Sequence, residues 1–271
     1  MNLEKRILIA APVSRREWVL SYYLRNLYNL TYPKHLTSIY WIINNSNDQT
    51  FQILSEFANA HQHEYARIKI DVFDNPKIPE DNRNQKRDEQ GNLTSNRREF
   101  IYDWLSTLRN KLLKKCVEWD CDYLLSSDSD ILMRPDCIEK LLSHNADVCA
   151  GLIYNGYLYA PDSDNYMKFP NILKRQPDGN YTHIYNYYVK NKTGFLECDF
   201  SGACILISKE VCMVSKYASD KAYGEDLPWS QSVQAAGYKI YCDCSCYNQH
   251  VMSEKLLDQF KNFGIEGVSD A

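Results

Sequence analysis

The sequence predicts an α/β protein with a mostly parallel central sheet flanked by helices. The first ground is alternation: short apolar runs and amphipathic stretches take turns along the first third of the chain, and such a chain folds with right-handed crossovers between parallel strands. The second is the runs themselves. Those at 7–11, 38–43 and 68–73 are short, rich in Ile and closed by Pro or polar turn residues, as buried strands are. Third, 271 residues at 44% hydrophobic and 24% charged can bury a full core. With 31 Lys+Arg against 35 Asp+Glu, the net charge of −4 argues against broad electrostatic binding to nucleic acid.

The elements follow in order. Trp18, Tyr22, Leu24, Leu27 and Tyr28 fall roughly on helical spacing and predict a helix over 17–30, broken at Thr31, Tyr32 and Pro33. The strand at 38–43 ends in the turn formers Asn44, Asn45, Ser46, Asn47 and Asp48. Phe51, Leu54, Phe57 and Ala58 mark a second helix before the strand at 68–73. Residues 74–98 are almost wholly polar and read as a long loop, of the kind that serves as a lid. A helix is expected over 100–118, a strand over 123–125, a helix opened by Pro135 and a strand over 147–154.

The stretch 155–197 is rich in Tyr, Asn, Asp and Pro and reads as a loop-and-hairpin insertion over the sheet. Core character resumes at 206–214. A helix over 227–236 stops at Gly237, and a last strand covers 238–242. The expected division is one domain over 1–250, in halves 1–130 and 131–250, and a tail over 251–271.

Ten cysteines sit mostly beside apolar runs, as Cys149, Cys204 and Cys212 do, and read as reduced, buried thiols. The N-terminal apolar run is too short for a secretory signal, and no run is long enough to cross a bilayer. The expected compartment is the cytoplasm, which makes the Asn92-Leu93-Thr94 triplet a chance glycosylation motif. Cys242, Cys244 and Cys246 alternate ahead of His250 and would share one face of a strand. Alternate strand positions stand about 6–7 Å apart, too spread for one zinc ion, so buried thiols are the better reading.

Three features can carry chemistry. Asp128-Ser129-Asp130 follows the predicted strand at 123–125. Ligands of open α/β sheets bind beyond the carboxyl ends of strands, and hard oxygen donors there suit Mg²⁺ or Mn²⁺ on a phosphate. An Asp-rich turn is the plainer alternative. Gly224-Glu225-Asp226 opens a helix, where the dipole favours acids in any case; the functional alternative is a general base. His250, after the last strand, is either a packed residue or a ligand.

Taken in order, these motifs resemble nucleotide-sugar glycosyltransferases of the glycosyltransferase-A fold, close to the large inverting family 2. The likeness runs from about Ile7 to His250. Ala11 to Glu17 with the following Leu/Tyr helix resembles that family's opening, and Asn45 to Asp48 the turn after its second strand. Arg109-Asn110 matches the pair before the metal motif, Asp128-Ser129-Asp130 the DxD motif, Gly202 to Leu206 the acceptor-side strand, and Gly224-Glu225-Asp226 the Glu-Asp motif.

The resemblance implies a Rossmann-like single domain, with a nucleotide-sugar half over 1–130 and an acceptor half over 131–250. It implies Pro12 and Val13 beside the base, Asn45 and Asp48 near the nucleoside, and Arg109, Asp128 and Ser129 at the donor. Asp130, His250 and Asp128 would hold Mn²⁺ or Mg²⁺. Asp226 would be the base, with Glu225, Trp229 and Gly202 at the acceptor and Trp229 stacked on a sugar ring. The donor favoured is a UDP-sugar; the acceptor is a carbohydrate, a lipid-linked group or a peptide.

The departures from the family pattern are Asn44 and Asn45, where an acid is frequent, and Pro228-Trp229-Ser230-Gln231, which is not the Gln-x-x-Arg-Trp of processive enzymes. A retaining transferase and a non-catalytic sugar- or metal-binding module are the alternatives. A sugar-1-phosphate nucleotidyltransferase would need a Gly-rich basic loop after the first strand, and 11–16 has no Gly. A phosphatase of the haloacid dehalogenase type would place its Asp pair after the first strand.

Overall fold

The computed structural model describes residues 4–78, 96–158, 166–221 and 223–264. The strands Ile7–Val13 (β1), Thr37–Ile43 (β2) and Arg67–Val72 (β3) pair in parallel in that order. The crossovers between them are Glu17–Tyr28 (α1) and Thr50–His61 (α2). Asn96–Glu118 (α3) returns the chain to the far side of β1, where Tyr123–Ser127 (β4) pairs in parallel with it. Ile131–Leu132 (β5), Cys137–Ser143 (α4) and Val148–Leu152 (β6) follow.

Two hairpins come next: Tyr154–Leu158 (β7) with Tyr166–Pro170 (β8), and Leu173–Arg175 (β9) with Tyr181–His183 (β10). The chain continues through Tyr187–Lys190 (α5), Phe195–Cys198 (β11), Cys204–Ser208 (β12), Lys209–Val214 (α6) and Asp226–Ala235 (α7). It closes with Ile240–Tyr247 (β13), Gln249–His250 (β14) and Glu254–Phe260 (α8). The eight-stranded sheet has the order β11-β13-β6-β12-β4-β1-β2-β3. β12 is antiparallel to both its neighbours and β11 to β13, so the other six strands run one way.

Both faces of the sheet are covered, as parallel pairing requires. Alternation along β1 sends Ile7, Ile9, Ala11 and Val13 into a core with Leu20, Tyr23 and Leu27 of α1. Leu8 and Ala10 enter the opposite core with Leu108 and Leu112 of α3. The early elements lie within three residues of their expected bounds, apart from α3, which begins at Asn96 and not at 100. Of the polar stretch 74–98, residues 79–95, with Asn92 and Thr94, lie outside the described residues.

Three expectations are corrected. The strand expected over 147–154 is cut at Ile153, whose backbone pairs with Asn171: its N–H donates to Asn171 Oδ1 at 3.0 Å and its carbonyl accepts the Asn171 N–H at 3.1 Å. The last strand runs to Tyr247, not to 242. Cys242 and Cys244 share one core, but Cys246 enters the other, because the pairing register shifts between Asp243 and Tyr247 and an irregularity of that kind flips the face. All ten cysteines are free and buried. Among the described residues no helix is long and apolar enough to cross a membrane.

Candidate active site

The strand order turns around at β1: β2 and β3 lie on one side of it and β4 on the other, which opens a crevice beyond their carboxyl ends. A cavity of about 640 Å³ lies there. Pro12 and Ser14 reach it from the end of β1, Asn44 from β2, Asp128, Ser129 and Asp130 from β4, and Asn155 from beyond β6. β12 runs the other way, so Ala203, the residue before it, arrives at the same edge, as does His250 beyond β13. Tyr102, Leu105 and Arg109 of α3 and Glu225 and Asp226 at the head of α7 close the wall.

Arg109 is buried and joins three carboxylates. Its Nε donates to Glu225 Oε1 at 2.9 Å and stands 3.9 Å from Asp226 Oδ1. Nη2 forks onto Asp128 at 3.0 and 3.2 Å, and Nη1 donates to Ser126 Oγ at 3.3 Å. An arginine stays charged in such a place because its partners more than offset the burial. Burial pushes the Asp128 carboxyl above its usual range, with Arg109 pulling the other way.

A second group surrounds Asp130. β5 pairs with β14, Ile131 opposite His250, which sets His250 beside the acid motif. His250 Nε2 lies 3.4 Å from Asp130 Oδ1, and Arg16 Nη2 lies 2.9 Å from Asp130 Oδ2. Burial works against the Asp130 charge, but Arg16 and His250 outweigh it and hold the carboxyl well below the usual range. Asn155 Oδ1 meets His250 Nδ1 at 2.8 Å, and a partner on one ring nitrogen orients the ring, turning Nε2 toward Asp130.

Asp226 faces the cavity differently. It is the first residue of α7, and its side chain is 24% exposed. Burial first, and then the Glu225 charge, push its pKa up to about 8, against the pull of Arg109. Gly202 lies against it so closely that a Cβ there would overlap the Asp226 carboxylate.

The Anp1 family model matches residues 1–171. The chain belongs to the Anp1 family. A mouse (Mus musculus) protein, inactive glycosyltransferase 25 family member 3, is 26% identical over 157 residues, which cover 57% of this chain and 25% of that protein. Among solved structures, S. aureus TarS is 12% identical with a TM-score of 0.51, covering 94% of this chain and 38% of TarS. The mannosyltransferase PcManGT from Pyrobaculum calidifontis, solved with GDP-Man and Mn²⁺, is 12% identical with a TM-score of 0.50, covering 92% of this chain and 57% of its own. This Anp1-family chain thus has the fold of glycosyltransferases, and it spans only part of the length of these relatives.

The expected site residues divide. Pro12, Arg109, Asp128, Ser129, Asp130, His250, Glu225 and Asp226 converge on one cavity of the Anp1-family chain. Gly202 lies behind Asp226. Val13 does not reach the cavity: it is wholly buried in the α1-side core. Asn45 and Asp48 lie outside the lining as well. Asp48 accepts from Ser46 and from the Glu17 and Thr50 N–H groups, and Asn45 is held by Asp74 and Asn75, so both fasten the loop after β2.

Trp229 is a correction. It is 0% exposed, stacked on Tyr217 at 5.2 Å, and its indole N–H donates to Ser215 Oγ. It is a core residue with no face for a sugar. Arg16, Tyr102 and Asn155 line the cavity although none of them is an expected site residue, and Asn44, expected as a turn former, lines it too. The usable signal was position: Arg16, Asn44 and Asn155 are polar and come within three residues of a strand's carboxyl end.

Among the described residues no three His, Cys, Asp or Glu side chains gather as a metal cage. Asp130 and His250 instead stand as an adjacent pair, one oxygen donor and one nitrogen donor, which here face each other, with Arg16 on the second Asp130 oxygen. Mg²⁺ and Mn²⁺ accept one or two protein ligands when phosphate oxygens and water complete the shell, so the pair fits an ion carried by a diphosphate.

Proposed function

We propose that this chain is a metal-dependent glycosyltransferase. It moves a sugar from a nucleoside-diphosphate donor, a UDP-sugar being favoured, to an acceptor hydroxyl with inversion. The observation that carries the reading is the split between two carboxylates on one cavity. Asp130 is held as an anion beside Arg16 and His250, whereas Asp226 has its pKa pushed up to about 8. Environments that drive acids apart in this way assign them different tasks.

The acceptor oxygen attacks the anomeric carbon, the bond to the diphosphate breaks, and its electron pair leaves with the nucleoside diphosphate. The hydroxyl proton passes to the Asp226 carboxylate. Asp130 and His250 would hold a divalent cation, whose Lewis acidity offsets the charge on the leaving diphosphate. Arg109 keeps the acids of the two halves at fixed spacing, which proton transfer between oriented groups requires. The motif order, which resembles that of inverting family 2, supports direct displacement. TarS in complex with UDP-GlcNAc and PcManGT with GDP-Man and Mn²⁺ support a nucleotide-sugar donor and a metal. The acceptor is a carbohydrate, a lipid-linked group or a peptide.

The mouse relative is named as inactive, so binding and turnover are to be measured separately. Thermal unfolding with UDP or GDP, with and without Mn²⁺, tests binding. A ligand at a hundred times its Kd stabilises by about 2.7 kcal/mol. A shift that needs Mn²⁺ and is lost in Asp130→Ala is expected; no shift with either nucleotide overturns the donor site. NMR of the product anomer then tests inversion, and a retained configuration removes Asp226 as base.

A further inference from the structure

We infer that Asn171, just after β8, is a positioning residue for the base, acting through the turn at 201–203; the inference rests on Asp226 being that base. Asn171 is 4% exposed, and its amide joins three segments of chain. The two Nδ2 hydrogens reach Gly151 O and Gly202 O, each at 3.1 Å, and Ser201 Oγ shares one of them at 3.3 Å. Oδ1 accepts the Ile153 N–H at 3.0 Å. One side chain of the Tyr-rich insertion therefore ties the end of β6 to the turn before β12.

That turn touches both halves of the chemistry. Gly202 backs the Asp226 carboxylate with no room for a Cβ. Ala203 holds a φ of 68°, a left-handed conformation that a residue with a Cβ keeps only when its surroundings impose it. In that conformation its carbonyl accepts the Asp128 N–H at 2.9 Å. The Cys204 N–H closes the turn on Gly202 O at 2.9 Å, and Asn171 fixes that same carbonyl from the other side. Without its amide, the carbonyls of Gly151 and Gly202 lose a donor and the turn can relax, carrying away the surface against which Asp226 rests. A displacement of about 1 Å at a catalytic group costs on the order of 100-fold in rate.

The experiment is a double-mutant cycle on the full chain, read by hydrolysis of UDP-GlcNAc or GDP-mannose with Mn²⁺, water standing in for the acceptor. Asn171→Ala is expected to lower kcat by roughly 30- to 100-fold. KM for the donor and the Mn²⁺-dependent thermal shift with UDP or GDP should stay within about two-fold. In the Asp226→Asn background the same substitution should change the residual rate less than about three-fold, because residues acting as a unit are not additive.

An equal cost in both backgrounds, or a raised KM with kcat unchanged, overturns the positioning role alone. A wild-type rate in Asp226→Asn by itself overturns the base assignment and this inference with it. If Asn171→Ala shows no unfolding transition, Asn171→Asp, which keeps the acceptor for Ile153 and loses the donors, goes through the same cycle with the same expectations.

Discussion

Arg109 is one cation set among Asp128, Glu225 and Asp226, and its removal leaves the buried Glu225 and the half-buried Asp128 and Asp226 without that counter-charge. Breaking a buried pair from one side is strongly destabilising, by about 3–5 kcal/mol. Arg109→Leu is therefore expected to lose about that much in urea unfolding at pH 7. The sign with pH follows from the acids. Arg109 pulls the Asp128 and Asp226 carboxyls down, so without it both rise further, and an acid whose folded pKa is raised stabilises the fold at low pH and loses that stability as pH rises through it. The deficit should shrink between pH 7 and pH 5. An unfolding free energy equal to wild type at pH 7 would mean that the three carboxylates do not depend on Arg109.

At the scale of elements, α7 does two jobs. Its first turn presents Asp226 to the cavity, where a negative charge at the helix start is favoured, and Leu227, Trp229 and Val233 fix the helix in the core. Trp229→Ala should cost about 3–5 kcal/mol in urea unfolding, as a large aromatic lost from a packed core does. A cost below about 1 kcal/mol would contradict its burial. This is also where the sequence was misleading. A tryptophan three residues beyond an acid motif looks like a sugar platform, but helical spacing turned it onto Tyr217.

Burial and pairing across the chain are what local reading lacks. The β1–α1–β2–α2–β3 alternation was legible because each element carries its own period and its own stop. Asp128-Ser129-Asp130 and Gly224-Glu225-Asp226 were legible because each site motif lies within three residues. Asn155 meets His250 across 95 positions, Asn171 meets Gly202 across 31, and the faces of Cys244 and Cys246 depend on a register shift in β13; none of these leaves a local pattern.

For the whole molecule, the site's chemistry and the fold's stability pull against each other through Asp226. Its carboxyl has an ordinary pKa near 4 in an unfolded chain. Folding buries it beside Glu225 and Asp128, with Arg109 as the nearby cation, and the balance pushes it up to about 8. The folded state thus prefers the neutral acid. That preference contributes fully below the unfolded value and is lost as pH rises through about 8. A base, however, accepts a proton only once it is ionised, so turnover should climb over the range in which stability declines.

Thermal unfolding of the nucleotide-free protein from pH 5 to 9 should show Tm falling and then levelling above about 8, and Asp226→Asn should flatten that fall. The pH profile of kcat/KM should rise over the same window with a midpoint near 8, the free-enzyme value. Equal slopes of Tm in the two proteins would show that burial does not raise this acid. A flat kcat/KM profile beside a flattened Tm would show instead that Asp226 is raised but does not take the proton. The two curves together decide whether the fold gives up stability at this position in return for a base that works near neutral pH.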